Sequence, residues 1–438
     1  MTAMSADAQP AIRISVGPVL APVAALLLAV AILVTGNGLQ STLLPVRAAI
    51  EKFDTFEIGL MGSAYYLGFV LGCLWGGQLI QRVGHIRAFT ALASIASTVA
   101  LVHAVEIDPL TWSLLRAVTG FCFAGLYVVI ETWLNDKVDN ENRGFVMGAY
   151  TMINLSVMVV GQLMLTLDDP QRFPLFAFAS IMVSLAAVPV ALTRSPQPAP
   201  IVAARIDPIR LFRISPVGAV GVCVVGLVTG AFWALGPAYA ARVGADIHEI
   251  AVFMAVASLG GALIQWPLGR LSDRVDRRLV LLGGCVIAVC AAIGIYFFGS
   301  ASDWRFIVFS ALFGAAALPL YAICAANAFD FVDRSELVEI SSGLLLLHGI
   351  GSIAGPLIAS AAMEAIGPGG LFVSTALGHA ALAVYAIWRI GQRGPLTQEE
   401  RTGFDLVSTA PTMVALNPEE VGAAQSDTDQ TSAQAAAH

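Results

Sequence analysis

Residues 112–143 read WSLLRAVTGFCFAGLYVVIETWLNDKVDNENR, an apolar run with an arginine inside it and a glutamate near one end. On a helix advancing ~100° per residue, with Arg116 at 0°, Gly120 falls near ~40°, Phe123 near ~−20°, Tyr127 near ~20° and Glu131 near ~60°. Arginine, glycine, two aromatic rings and a carboxylate share one stripe, about 22 Å long from Arg116 to Glu131. An ionisable group inside a bilayer is costly unless it finds a partner or water. The stripe therefore faces other helices or an aqueous cavity, and lipid is excluded.

The rest of the chain has the composition of a membrane protein. Of 438 residues, 57% are hydrophobic and 12% charged, with mean hydropathy +0.79. Soluble proteins carry about 25% charged residues. The net charge of −7 draws largely on the last 40 residues and says little about the spans. Cys73, Cys122, Cys223, Cys285, Cys290 and Cys324 all lie in apolar segments. Their spacing gives neither a metal cluster nor a disulfide framework, so they read as small packing residues.

Twelve apolar stretches are long enough to span, near 19–44, 57–80, 86–105, 109–134, 144–167, 173–193, 215–240, 248–271, 279–300, 303–328, 337–362 and 369–390. The first, from Val19 to Leu44, exceeds the ~7–15 residues of a signal-peptide core and reads as a span. Of the 23 Lys and Arg residues, Arg47, Lys52, Arg172, Arg242 and Arg305 fall on one side and Arg116 inside the membrane. All others fall on the opposite side, which predicts both termini in the cytoplasm of a bacterial inner membrane.

The Pro- and Arg-containing stretch 194–214 breaks the apolar pattern and divides the chain. The expected organisation is a cytoplasmic N-terminus (1–18), a six-helix half (19–193), a linker (194–214), a second six-helix half (215–391) and a disordered polar tail (392–438). The halves echo each other. GQLIQRVGHIR (77–87) matches GRLSDRVDRR (269–278), and LYVVIETWLNDKVD (126–139) matches LYAICAANAFDFVD (320–333) at an offset of 194. The fold class is all-α integral membrane, twelve transmembrane helices in two six-helix halves, with a site between the halves near the midplane.

On these residues the chain resembles the major facilitator superfamily over roughly 19–391. Its loop motif, Gly-x-Leu-x-Asp-Arg-x-Gly-Arg-Arg/Lys, appears as Gly77, Leu79, Arg82, Gly84 and Arg87, with Gln81 in the aspartate position and His85 in a basic one. The second copy keeps Gly269, Leu271, Asp273 and Arg274, with Asp276 in place of glycine. Arg116 and Gly120 match the span-four Arg-x-x-x-Gly motif. The Glu-Thr-Trp-Leu-Asn stretch, 131–135, resembles a bacterial subgroup whose substrates are mostly unassigned. Span five lacks the Gly-x-x-x-Gly-Pro sequence of drug–proton antiporters, which occurs in span eleven as Gly351, Gly355 and Pro356.

The resemblance implies a cavity lined by spans one, four, seven and ten, with two, five, eight and eleven beside them. Candidate cavity residues are Asn37, Gln40, Arg116, Tyr127, Asn154, Gln162, Tyr239, Gln265, Tyr321, Asn327 and His348. Each also fits ordinary interhelical hydrogen bonding. Arg116 is either a buried structural arginine or a cation that attracts an anionic substrate group; no carboxylate lies at mid-depth to neutralise it. His348 is the candidate for a titrating group. Glu131 is expected to pair with Arg82 or Arg87 as a gating latch, matched in the second half by Asp273 and Arg274. Gly68, Gly72 and Gly76 mark a packing face, and prolines 45, 237, 267, 319 and 356 mark bends.

No phosphate-binding loop, catalytic constellation or dinucleotide motif occurs. No cofactor, metal, nucleic-acid partner or enzymatic activity is therefore expected. The leading expectation is a secondary transporter of a small polar or anionic molecule, with protons as a candidate coupling ion. A proton-coupled multidrug exporter and a non-transporting sensor or scaffold stand beside it.

Overall fold

Among the described residues twelve helices are long and apolar enough to cross a membrane: α1 Ala24–Ile50, α2 Thr55–Val83, α3 His85–Val105, α4 Pro109–Lys137, α5 Phe145–Leu167, α6 Phe173–Ala191, α7 Pro216–Arg242, α8 Ile247–Arg274, α9 Arg277–Phe298, α10 Trp304–Phe329, α11 Glu339–Ile366 and α12 Gly370–Gln392. The structure is a computed structural model and describes residues 23–138, 140–193, 198, 208–299, 304–332 and 336–392. The expected N-terminus (1–18), most of the 194–214 linker and the tail from 393 onward lie outside the described residues. No strand occurs among the described residues.

Local chemistry sets the helix ends. Asp246 and Glu249 exchange two 2.8 Å hydrogen bonds at the start of α8, a capping box that satisfies two N-terminal amides. Gly84, at φ 86°, turns the chain between α2 and α3 in a conformation that strongly favours glycine. Two helices depart from the expected pattern. α1 runs past Pro45 to Ile50, because a membrane helix accommodates a proline that would end a soluble one. Arg47 is accordingly a helical residue, bonded to Glu51 (2.6 Å) and the Pro170 carbonyl (3.2 Å), and is no loop charge. α10 is interrupted after Ala317 and resumes at Leu320, beside the expected bend at Pro319. Pro45, Pro237, Pro267 and Pro356 lie inside continuous helices.

The repeat read in the sequence is a repeat of contacts. Gly120 of α4 presses on the Tyr65 carbonyl of α2, and Gly314 of α10 presses on the Ala257 carbonyl of α8. Gly161 of α5 lies on the Thr35 carbonyl of α1, and Gly355 of α11 on the Leu227 carbonyl of α7. Corresponding residues are 192 or 194 positions apart. A Cβ at any of the four would overlap the facing backbone, so glycine fixes how closely each helix pair approaches. Gly68 and Gly72 serve the same α2–α4 contact. Gly355 of the span-eleven Gly-x-x-x-Gly-Pro sequence is thus the counterpart of Gly161.

Four links join the halves toward one end of the bundle. The Phe56 amide donates to Glu364 (3.0 Å), and the Ser63 hydroxyl to the Ile353 carbonyl (2.7 Å). Arg242 bonds Thr55 and the Phe53 carbonyl, and the Ser258 hydroxyl donates to Gln162 (2.9 Å). We call this the joined end. The opposite, linker end carries the helix Pro208–Ile214, whose Arg210 pairs with Glu336 and Glu339 at the start of α11.

Candidate functional site

Arg116 sits two turns inside α4, about 10 Å from its start by helical rise. One turn nearer the joined end, Trp112 is fully buried against Phe53 (5.3 Å) and His103 (5.4 Å). This aromatic cluster packs the first half between the arginine and the start of α4. The guanidinium lies 4.2 Å from the centre of the Tyr65 ring, a cation–π contact. Its Nη1 is buried without a hydrogen-bond partner, and among the described residues no carboxylate pairs with it. Arg116 is therefore a membrane-embedded cation held against an aromatic ring, with no carboxylate among the described residues to neutralise it.

Further residues collect around it. Asn37 of α1 lies near Tyr65 and Tyr127. Tyr65 contacts Tyr66 (5.5 Å between ring centres) and Phe69 (6.2 Å), and Phe69 reaches Tyr127 (6.3 Å). From the other half, Tyr321 and His348 meet edge to face at 4.7 Å, with the Ser352 hydroxyl 3.5 Å from His348 Nδ1. Gly349, next to His348, packs against Val70, next to Phe69, so the two sets approach each other. Tyr65, Tyr66, Cys73, Arg116, Tyr321 and His348 lie deep between the spans yet keep accessible surface. They border an internal space.

The sequence candidates divide. Asn37, Arg116, Tyr127, Tyr321 and His348 belong to this assembly. Asn154 is half-buried and bonds the Tyr150 carbonyl (3.0 Å), and Gln265 is half-buried on α8. Gln40 is fully buried. Gln162 is a link between the halves. Tyr239 is a correction: it is 1% exposed inside an aromatic cluster with Phe253, Phe306 and Phe372, because α7 turns that face into its own half. Asn327 is a second correction, buried and bonded to the Ser215 hydroxyl (3.1 Å) where α7 packs on α10.

The gating candidates also rearrange. Glu131 is fully buried and accepts a 2.8 Å hydrogen bond from Tyr150, while Arg82 and Arg87 are exposed and pair with no carboxylate among the described residues. The expected Glu131–Arg82/Arg87 ion pair is absent because the carboxylate points into the half. In the second half Asp273 pairs with Arg277 (3.6 Å), which also meets Asp330 (2.9 Å), while Arg274 is exposed. The corresponding first-half positions hold Gln81, His85 and Asp136, where Asp136 pairs with Lys137 (2.8 Å). Gly84 makes the turn that its motif implies, whereas Gly77 has open space around it.

Sequence reading passed over Tyr65, Tyr66 and Phe69 of α2. Their signal was present: Tyr65, Phe69 and Cys73 recur every fourth residue beside the glycine face. Glu364 and Arg242 gave no comparable signal, since each acts through a partner almost 200 or more residues away.

Twelve spans in two repeat-related halves around a polar internal space define a multi-pass membrane transporter. The sequence profile described as Major Facilitator Superfamily matches residues 26–218 and 218–419, and the chain belongs to that superfamily. It is 29% identical to an uncharacterized MFS-type transporter, Ent638_1421, of Enterobacter sp. (strain 638), over 81% of this chain and 92% of the relative. The fold matches the nucleoside transporter NupG with a TM-score of 0.70 at 12% identity, covering 84% of this chain and 98% of that one. It matches the human organic anion transporter MFSD10 with a TM-score of 0.59 at 15% identity, covering 84% and 99%.

Proposed function

We propose that this protein moves a small polar or anionic organic molecule across the bacterial inner membrane by alternating access, driven by an ion gradient. The observation that carries the reading is Arg116, a half-buried guanidinium inside a span that lies over the Tyr65 ring and that no carboxylate among the described residues neutralises. An uncompensated charge in a low-dielectric interior is costly, and an anionic ligand removes that cost only while bound. Similarity to transporters of nucleosides and organic anions agrees with this reading without specifying a substrate.

The orientation follows from the charge asymmetry. Arg82, Arg87, Arg213, Arg270, Arg274 and Arg389 lie toward the linker end, which is proposed to be cytoplasmic with both termini. The joined end is then the outer gate, and the 131–135 stretch marks the subgroup. Protons are the proposed coupling ion, with His348 and the buried Glu131–Tyr150 pair as the groups to examine. The polar and aromatic border of the space supports a carrier over a scaffold. The fixed positive charge disfavours a cationic-drug exporter.

The test is uptake of radiolabelled organic anions into proteoliposomes under an imposed pH gradient. Wild type is expected to accumulate at least one anion, and Arg116→Gln to lose at least tenfold in rate with its chromatographic profile unchanged. Arg116→Lys should retain part of the activity. Wild-type rates in Arg116→Gln would remove Arg116 from the substrate path. Failure to move any solute would favour the sensor reading.

A further inference from the structure

We infer that the ligand held at Arg116 is a planar aromatic monocarboxylate. The inference rests on the anion reading above and adds the shape and charge number of the molecule.

The charge number comes from what surrounds the space. Arg116 is its one fixed cation among the described residues, and the buried Glu131 lies about 22 Å along the same helix. A single carboxylate matches the guanidinium. A second negative group would have no further fixed cation among the described residues to meet, which is unfavourable away from water.

The aromatic preference comes from comparing the two halves. Gly120 presses on the Tyr65 carbonyl, and Gly314 presses on the Ala257 carbonyl, in corresponding contacts. The second half builds this helix pair with Ala257, Ser258 and Ser310 where the first has Tyr65, Tyr66 and Arg116. Helix packing therefore does not require two tyrosines and an arginine at those positions. The first half nevertheless places the Tyr65 ring against the guanidinium and sets Tyr66 and Phe69 beside it. A carboxylate meeting the accessible side of the Arg116 side chain would carry its substituent along this aromatic surface. Rings pack there edge to face or offset, with contacts that a flexible alkyl chain does not reproduce. Asn37, near Tyr65 and Tyr127, adds hydrogen-bonding capacity in the same region.

The experiment is a thermal-shift titration of the full-length protein in nanodiscs with benzoate, hexanoate, terephthalate, benzamide and benzylamine. A ligand selective for the folded state raises apparent stability in proportion to its occupancy. Benzoate is expected to half-saturate at a concentration at least tenfold below hexanoate, with no shift from terephthalate, benzamide or benzylamine. Arg116→Gln should abolish the benzoate shift. Tyr65→Leu and Tyr66→Leu, which keep the cation, should bring benzoate and hexanoate within about threefold of each other. That comparison remains available if Arg116→Gln does not fold. Equal half-saturation by benzoate and hexanoate in wild type, or tighter binding of terephthalate, would overturn the aromatic monoanion while leaving the anion reading intact. Shifts from benzamide or benzylamine alone, or from no anion, would overturn both.

Discussion

The backbone amide of Phe56, at the start of α2, donates a 3.0 Å hydrogen bond to the carboxylate of Glu364 near the end of α11. One half thus satisfies an N-terminal amide of a helix in the other, where the helix dipole also favours a negative charge. The link must break when the joined end opens. Glu364→Ala is expected to raise the population open at that end roughly fivefold, for a hydrogen bond worth about 1 kcal/mol. Spin labels at Lys52 and Ile366 would report it as a larger long-distance fraction. An unchanged distance distribution would mean that the joined end is held without Glu364.

The two glycines of the loop motif between α2 and α3 should behave differently. Gly84 lies at φ 86° and ψ 160°, so Gly84→Ala forces a side chain into strained backbone at a cost of roughly 1–3 kcal/mol. Gly77 is helical, and nothing lies within 4 Å of an added Cβ. Gly77→Ala is expected to match wild type in melting temperature and expression, with Gly84→Ala below it in both. Equal stability of the two variants would show that the turn relaxes.

At the linker end of the second half, Arg277 is almost wholly buried and 2.9 Å from an equally buried Asp330. Replacing the guanidinium removes this contact from a buried carboxylate, and breaking a buried pair costs about 3–5 kcal/mol. Arg277→Ala should therefore lower stability strongly, and Arg277→Ala with Asp330→Asn should recover part of the loss. Unfolding in a graded detergent series would give the cycle, with a coupling of roughly 0.5–3 kcal/mol. Strict additivity would show that the two residues act independently.

The spans and the repeat were legible in the sequence because each is written locally. Apolar length gives a span, and LYVVIETWLNDKVD recurs as LYAICAANAFDFVD. Arg116 was legible because charge inside an apolar run is rare. Its neighbour Tyr65 was not, since a tyrosine in a span is ordinary until its ring is seen against a guanidinium. Tyr239 failed in the opposite way: helical position shows which residues share a face, but not which neighbour that face meets. The Glu131 pairing failed because the side chain turned to Tyr150 inside its own half.

The start of α4 offers a pH test outside the membrane. The Asp108 carboxylate accepts a 2.8 Å bond from the Thr111 amide, and this bond, assisted by the Thr111 side chain, holds the carboxyl below its usual range. A lowered pKa means that the folded chain binds fewer protons here than the unfolded one. The resulting stability is complete above the unfolded value near ~4 and is lost as pH falls through the folded value. Asp108→Asn keeps a good cap without a titrating charge. Wild type should melt above Asp108→Asn at pH 7, with the gap closing as pH drops below about 4. The sign excludes the converse: a gap that widened in acid would require the carboxyl to be held protonated, contrary to its acceptance of the Thr111 amide. Melting curves of the two proteins across this range, each in the same lipid, decide between them.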